Sequence, residues 1–192
     1  MRREKASEYL LCVVASCVGG CHAKLLISFR TESSDAGLFV MIRYVHPVFP
    51  DVAQGAVAET YAQIKRDFGR VVEPFVLNSL LPRLLAGMWT VCRETELVGM
   101  VSRVVKEAVA ASVSMLNRRP YCVEAHTIML NSIGDHAIAD AISDARYWKI
   151  RNAKVGPFVD WALTTSTPGQ DMLLFPPFSR EEAPEIIGTA VF

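Results

Sequence analysis

The chain has no excess of charge of either sign. Twenty acidic residues balance twenty basic ones, and no block of like charge stands out. Surfaces that bind nucleic acid or steer anions are built from clustered or unbalanced charge, so neither organises this protein, and no nucleic-acid partner is expected. Period-two alternation of apolar and polar residues is also scarce, and no run is long enough to argue for a strand. The five cysteines lack regular spacing: Cys12, Cys17 and Cys21 crowd the N-terminus, while Cys92 and Cys122 stand apart. An odd, irregular set makes a poor disulfide framework, and the main domain reads as the resident of a reducing compartment. Cys17, Cys21 and His22 lack the second paired half of a zinc site, so no metal or cofactor is expected.

With 192 residues, 51% of them hydrophobic, the chain can bury a substantial core as one domain with an appended tail. So apolar a composition suggests that some helical faces meet another subunit. The first forty residues stand apart from the rest. Arg2, Arg3 and Lys5 precede an apolar run from Tyr9 to Gly20, which has the layout of a secretory signal and is too short to span a bilayer. Val18-Gly19-Gly20-Cys21 resembles a lipobox in which Cys21 would be lipidated. The competing reading makes residues 1–40 a spurious upstream extension, with the domain opening at Met41, and Lys24 to Val40 shows no clear periodicity. The expected location is cytoplasmic, without a membrane, unless residues 1–21 act as a signal that exports or lipid-anchors the chain.

From Asp51 onward the pattern is helical. Asp51 and Gln54 suggest a capping box, after which Ala53, Val57, Tyr61, Ile64 and Phe68 recur at helical spacing until Gly69. Glu73-Pro74 begins a connector. Leu81, Leu84, Leu85, Met88 and Cys92 line a second helix, where Cys92 reads as a small core residue. A third runs from about Met100 to Leu116, with Val101, Val104, Val105, Ala108, Ser112 and Met115 inward. A fourth starts at Pro120, suited to a first helical position, and stops at Gly134. Asp135 caps a fifth reaching Tyr147 and Trp148, and Gly156-Pro157 precedes a sixth over Phe158 to Leu163. Thr164 to Pro177 reads as loop. Ser179 and Glu182 form another capping box before Ile186, Ile187, Ala190 and Val191. That last helix reaches Phe192 without a C-cap, which suggests docking into an interface or a chain truncated at its C-terminus. The fold class is therefore all-α, with neighbouring helices antiparallel.

One constellation carries chemistry. Cys122 and His126 lie at i and i+4 on the fourth helix and share a face. Cys122 falls in the first turn, where free N–H groups and the helix dipole favour a thiolate. His126 has the pKa range for proton transfer near neutrality. Glu107, on the preceding antiparallel helix, sits in an Ala/Val-rich stretch where an unpaired charge would be costly. Nucleophile, base and orienting carboxylate are thus available. A Cys/His pair at this spacing also arises by chance as core packing, and a zinc site would lack its ligand-spacing signature. Arg103, Arg118 and Glu124 read as solvated.

The run Asn117, Pro120-Tyr121-Cys122-Val123 and Ala125-His126-Thr127, with Glu107 upstream, resembles the AhpD-like alkylhydroperoxidase / carboxymuconolactone decarboxylase family. Its motif is Glu, eleven residues, Cys, two residues, Cys, three residues, His. Glu107, Cys122 and His126 match the first, third and fourth positions, and Arg119 replaces the first cysteine. The resemblance covers roughly residues 41–192. It implies a bundle of about six to seven helices assembled as a homo-oligomer, a trimer or a multiple of one. It also implies that Cys122 attacks a hydroperoxide, with His126 as base and Glu107 as relay carboxylate. The resolving-cysteine position is Arg119, which cannot form a disulfide but favours the thiolate by its charge. The expected function is a peroxiredoxin-like antioxidant protein that takes its electrons from an external thiol or dithiol. The alternatives are a catalytically degenerate scaffold or subunit, and a decarboxylase on the same fold.

Overall fold

Helical periodicity dominates the chain from Asp51 onward, and helices are what most of the described residues form. The structure, a computed structural model, describes residues 10–13, 25–28, 45–146, 149–150 and 154–192. Contacts divide it into two units, Met1–Pro47 and Val48–Phe192. In the first, β1 (Leu10–Val13) pairs antiparallel with β2 (Leu25–Ser28), Leu10 opposite Ser28 and Val13 opposite Leu25. These four-residue strands differ from the expectation of no strand: Leu10 to Val13 is an unbroken apolar run with no alternation to reveal it. The signal-like flanks, the Cys21 lipobox and the Met41 boundary lie outside the described residues.

The second unit is all-helical. Its elements are α1 (Gly55–Phe68), α2 (Glu73–Leu77), α3 (Pro82–Cys92), a π-helical turn (Arg93–Leu97), α4 (Arg103–Leu116) and α5 (Pro120–Ser132). They continue with α6 (His136–Ser143), α7 (Gly156–Thr164), α8 (Asp171–Leu174) and α9 (Ala183–Val191). Of the nine α-helices among the described residues, seven have seven or more residues, in line with the six to seven expected, and α2 and α8 are single turns in stretches that read as connectors. α1 begins at Gly55 with Gln54 at its N-cap and no side-chain cap bond, so the expected Asp51–Gln54 box does not form. It ends as expected on Gly69, whose φ of 83° suits a residue without a Cβ. The Ser179–Glu182 box does form, with reciprocal bonds of 2.8 and 3.2 Å. Asp135 occupies the α6 N-cap without a side-chain bond, and α6 ends at Ser143; Tyr147 and Trp148 lie outside the described residues.

α4 is the central helix and packs against α5, α6, α7, α9 and the π turn. Its nine consecutive buried residues, Val105 to Val113, explain why an Ala/Val-rich sequence was selected there: small side chains let helices approach from every side. Around it lies one apolar cluster that includes Val109, Leu130, Ile142, Val159 and Ile186. A second joins Tyr61, Ile64, Phe75, Leu85, Trp89 and Cys92. Trp89 anchors the second cluster edge-on to Phe75 and Phe68, at 5.6 and 6.2 Å. The buried stripe of α3 is Leu85, Trp89 and Cys92; Leu81 and Leu84, expected inside, are 62% and 46% exposed.

Candidate active site

The site forms where α4, α5 and the π turn meet. Pro120 opens α5 at its first turn, and Tyr121 ties that turn to α2 by donating its hydroxyl to Glu73 Oε2 at 3.0 Å. This fixes Cys122 in the third helical position and His126 one turn further on. From α4, the Glu107 carboxylate, 1% exposed, reaches His126: its Oε2 lies 2.8 Å from the imidazole Nδ1. Its other oxygen, Oε1, accepts from Arg103 Nε at 3.1 Å. Arg103 does not behave as a solvated residue. One turn before Glu107, it also approaches Met129 Sδ at 3.1 Å and sits 5.9 Å from the Phe68 ring centroid. Both Glu107 oxygens are thereby engaged, which is what a buried carboxylate requires.

Electrostatics at the site follow from this crowding. Burial alone would lower the His126 pKa, but the Glu107 hydrogen bond and the Glu96 and Glu107 charges outweigh it, and the net shift is upward. The Cys122 thiol is pushed up by burial and by Glu96, against the downward pull of Arg119 and of a hydrogen bond with Ser114. First-turn placement and the Arg119 charge therefore do not suffice to make Cys122 a resting thiolate. Among the described residues its hydrogen-bond partner is Ser114 on α4, not His126. The structure thus brings Glu107 and His126 into direct contact, with Cys122 one helical turn before His126 on the same face of α5. Arg119 stands at the N-cap of α5, close enough to act on Cys122 by its charge.

Cys92 is a core residue, 2% exposed, its thiol driven far up by burial and by the neighbouring carboxylates. Its Sγ lies 3.8 Å from Oε2 of Glu96. Glu96 is the residue that sequence reasoning missed. It is 6% exposed on the π turn, and burial raises its pKa, opposed in part by His126. A signal was present: Glu96 continues the Leu85–Trp89–Cys92 stripe by four residues. An open cavity of about 480 Å³, lined by Met115, Arg118, Val123 and Thr127 among others, lies on the opposite face of α5 and touches none of these groups. No helix among the described residues is long and apolar enough to cross a membrane.

Comparison with curated proteins gives a relative. The chain is 43% identical over 150 residues, 78% of its length, to alkyl hydroperoxide reductase Rv2159c of Mycobacterium tuberculosis (strain ATCC 25618 / H37Rv). It spans 42% of that curated relative's length. No protein-family model matches the chain. No solved structure matches it.

Proposed function

We propose, from the premise that this chain belongs to the AhpD-like alkylhydroperoxidase family, that it reduces hydroperoxides through Cys122 and is restored by an external thiol or dithiol. The observation that carries this reading is the buried 2.8 Å contact between Glu107 and His126, one helical turn from the Cys122 thiol on the same face of α5. With Glu107 accepting from Nδ1–H, the Nε2 of His126 is left to take the Cys122 proton. The sulfur then attacks the distal peroxide oxygen. The O–O bond breaks, an S–O bond forms, and the alkoxide leaves with the proton held by His126, as an alcohol. Two electrons pass from sulfur to the peroxide, leaving Cys122 as sulfenic acid. An external thiol attacks that sulfur, expelling water and forming a mixed disulfide. A second thiol releases Cys122 and carries away the oxidised pair.

Arg119 in place of a resolving cysteine makes the external thiol necessary, and Cys92 is too deeply buried to stand in. The domain in this reading is residues 41–192, with residues 1–40 an extension the reaction does not use, in a reducing cytoplasm. A homo-oligomer belongs to the same reading, and the outward Leu81 and Leu84 of α3 are surface that such an assembly would cover. The test is peroxide consumption with and without dithiothreitol. Turnover should depend on the dithiol, vanish in Cys122→Ser and rise in Arg119→Cys, where an internal disulfide becomes available. If Cys122→Ser consumes peroxide at the wild-type rate, the reading fails. If the wild type is inert and Arg119→Cys gains nothing, the degenerate-scaffold alternative takes its place.

A further inference from the structure

Glu96 is a buried carboxyl that the reaction above does not use. It sits on the π-helical turn Arg93–Leu97, a local widening of the helix that costs hydrogen-bond quality and recurs at functional sites. Its one short-range side-chain partner among the described contacts is the thiol of Cys92, at 3.8 Å. A thiol is a weak donor and satisfies a carboxylate poorly. Burial of Glu96 is therefore not explained by the partnering that explains Glu107.

The turn that carries it is firmly held. On α9, the Thr189 hydroxyl donates to the Thr95 carbonyl at 2.8 Å, and Gly188 lies directly against the Thr95 side chain. Titratable or charged groups reach Glu96 from three helices. From α5 come His126 and Cys122, from α4 Glu107 and Arg103, and from α3 Cys92. On α9 the acidic group, Glu185, is turned instead to Lys106 and the Met100 and Val101 amides. His126 thus has one carboxyl, Glu107, in direct contact and a second, Glu96, within electrostatic reach.

We propose that Glu96 is a positioning residue of the peroxide site that acts through His126, as the second carboxyl stabilising the imidazolium once it has taken the proton of Cys122. This rests on the peroxide reading for its role in catalysis, while the Glu96–His126 coupling can be measured without it. By the same charge Glu96 opposes the Cys122 thiolate. Its presence therefore sets the pH at which the pair becomes reactive.

The experiment is the pH dependence of Cys122 oxidation in wild type, Glu96→Gln and Glu96→Asp, beside a nuclear magnetic resonance titration of the His126 ring. Glu96→Gln should move both midpoints down by about one pH unit, and Glu96→Asp should return them towards wild type. A fall in rate with both midpoints unmoved would mean a merely structural role and overturns the inference. Should Glu96→Gln fail to fold, the wild type decides: the Glu96 carboxyl and the His126 ring should each show an inflection at the other's midpoint, and independent titrations overturn it. If Cys122 proves inert to peroxide, the proposed function falls and the His126 midpoints still decide the coupling.

Discussion

Lys106 and Glu107 are neighbours on α4, each with a side chain only 1% exposed, and they point to different surroundings. Lys106 meets Glu185 of α9 at 2.5 Å and also donates to the Val98 carbonyl. Glu185 in turn accepts from the Met100 and Val101 amides at 2.8 and 3.1 Å. Burial would raise the Glu185 pKa, but Lys106 and those two amides prevail and hold it low. Its partners on this side are the Lys106 ammonium and two backbone N–H groups. On the other side Glu107 shares its oxygens between Arg103 and a histidine, and a second acid and a thiol stand close by. A buried charge surrounded by permanent donors builds structure. One surrounded by groups that exchange protons can do chemistry.

The sharpest way to break this contrast is to remove the groups on the chemical side. Cys122→Ser should reduce dithiol-dependent peroxide consumption to the buffer rate with little change in melting temperature, since Cys122 is only half-buried. His126→Ala should slow Cys122 oxidation by roughly 100-fold, the ordinary scale of general acid–base help. Stopped-flow measurement of peroxide decay checks both, and a His126→Ala rate within threefold of wild type would remove the relay.

On the structural side the expected effect is on stability. Glu185→Ala leaves Lys106 buried without its carboxylate and should cost about 3 kcal/mol, or roughly 6–12 °C of melting temperature in a chain of this size. The midpoint pH of the Cys122 reaction in the remaining folded protein should stay put. If calorimetry shows no loss, or if that midpoint moves, the two sides of α4 are not separate.

Acid and base should also separate them. A histidine whose folded pKa is raised stabilises the fold below its ordinary value of 6.5 and loses that contribution as pH climbs through the folded value. Stability should therefore decline upward from pH 6.5, and His126→Gln should flatten that limb. A carboxylate whose pKa is lowered contributes above its ordinary 4.5 and loses the contribution as pH falls through the folded value. Glu185→Gln should flatten the acid limb alone. Denaturant titration across pH 3 to 9 reads both limbs. The smallest effect expected is from deleting residues 1–40, which should leave the melting temperature nearly unchanged; a large drop would assign that segment to the fold.

Much of this contrast was legible in sequence, though unevenly. Helical spacing located α1 and α4, whose inward apolar residues repeat at that spacing, while Pro120 with Gly134 marked α5 and Gly156-Pro157 marked α7. Glu107 stood out as a lone acid among alanines and valines, and Cys122 with His126 as a pair on one helix face. Glu96 did not, because Arg93-Glu94-Thr95-Glu96 reads as a solvated run. Only the stripe continuing from Leu85, Trp89 and Cys92 marks it as inward. The partner of Lys106 was out of reach, since Glu185 lies on another helix and only the tertiary fold joins them. Arg103 read as solvated, yet its side chain is only 33% exposed and its guanidinium serves Glu107. Leu81 and Leu84 misled in the opposite direction: they are apolar residues at helical spacing that the described unit leaves exposed.

The central claim is that Cys122, and no other described cysteine, is the thiol that peroxide oxidises. A pulse of alkyl hydroperoxide with dimedone present, followed by peptide mass spectrometry, tests it directly. The adduct should appear on Cys122, be absent from Cys92 and disappear in Cys122→Ser. An unmodified Cys122 in folded protein, or an adduct on Cys92 instead, would contradict it.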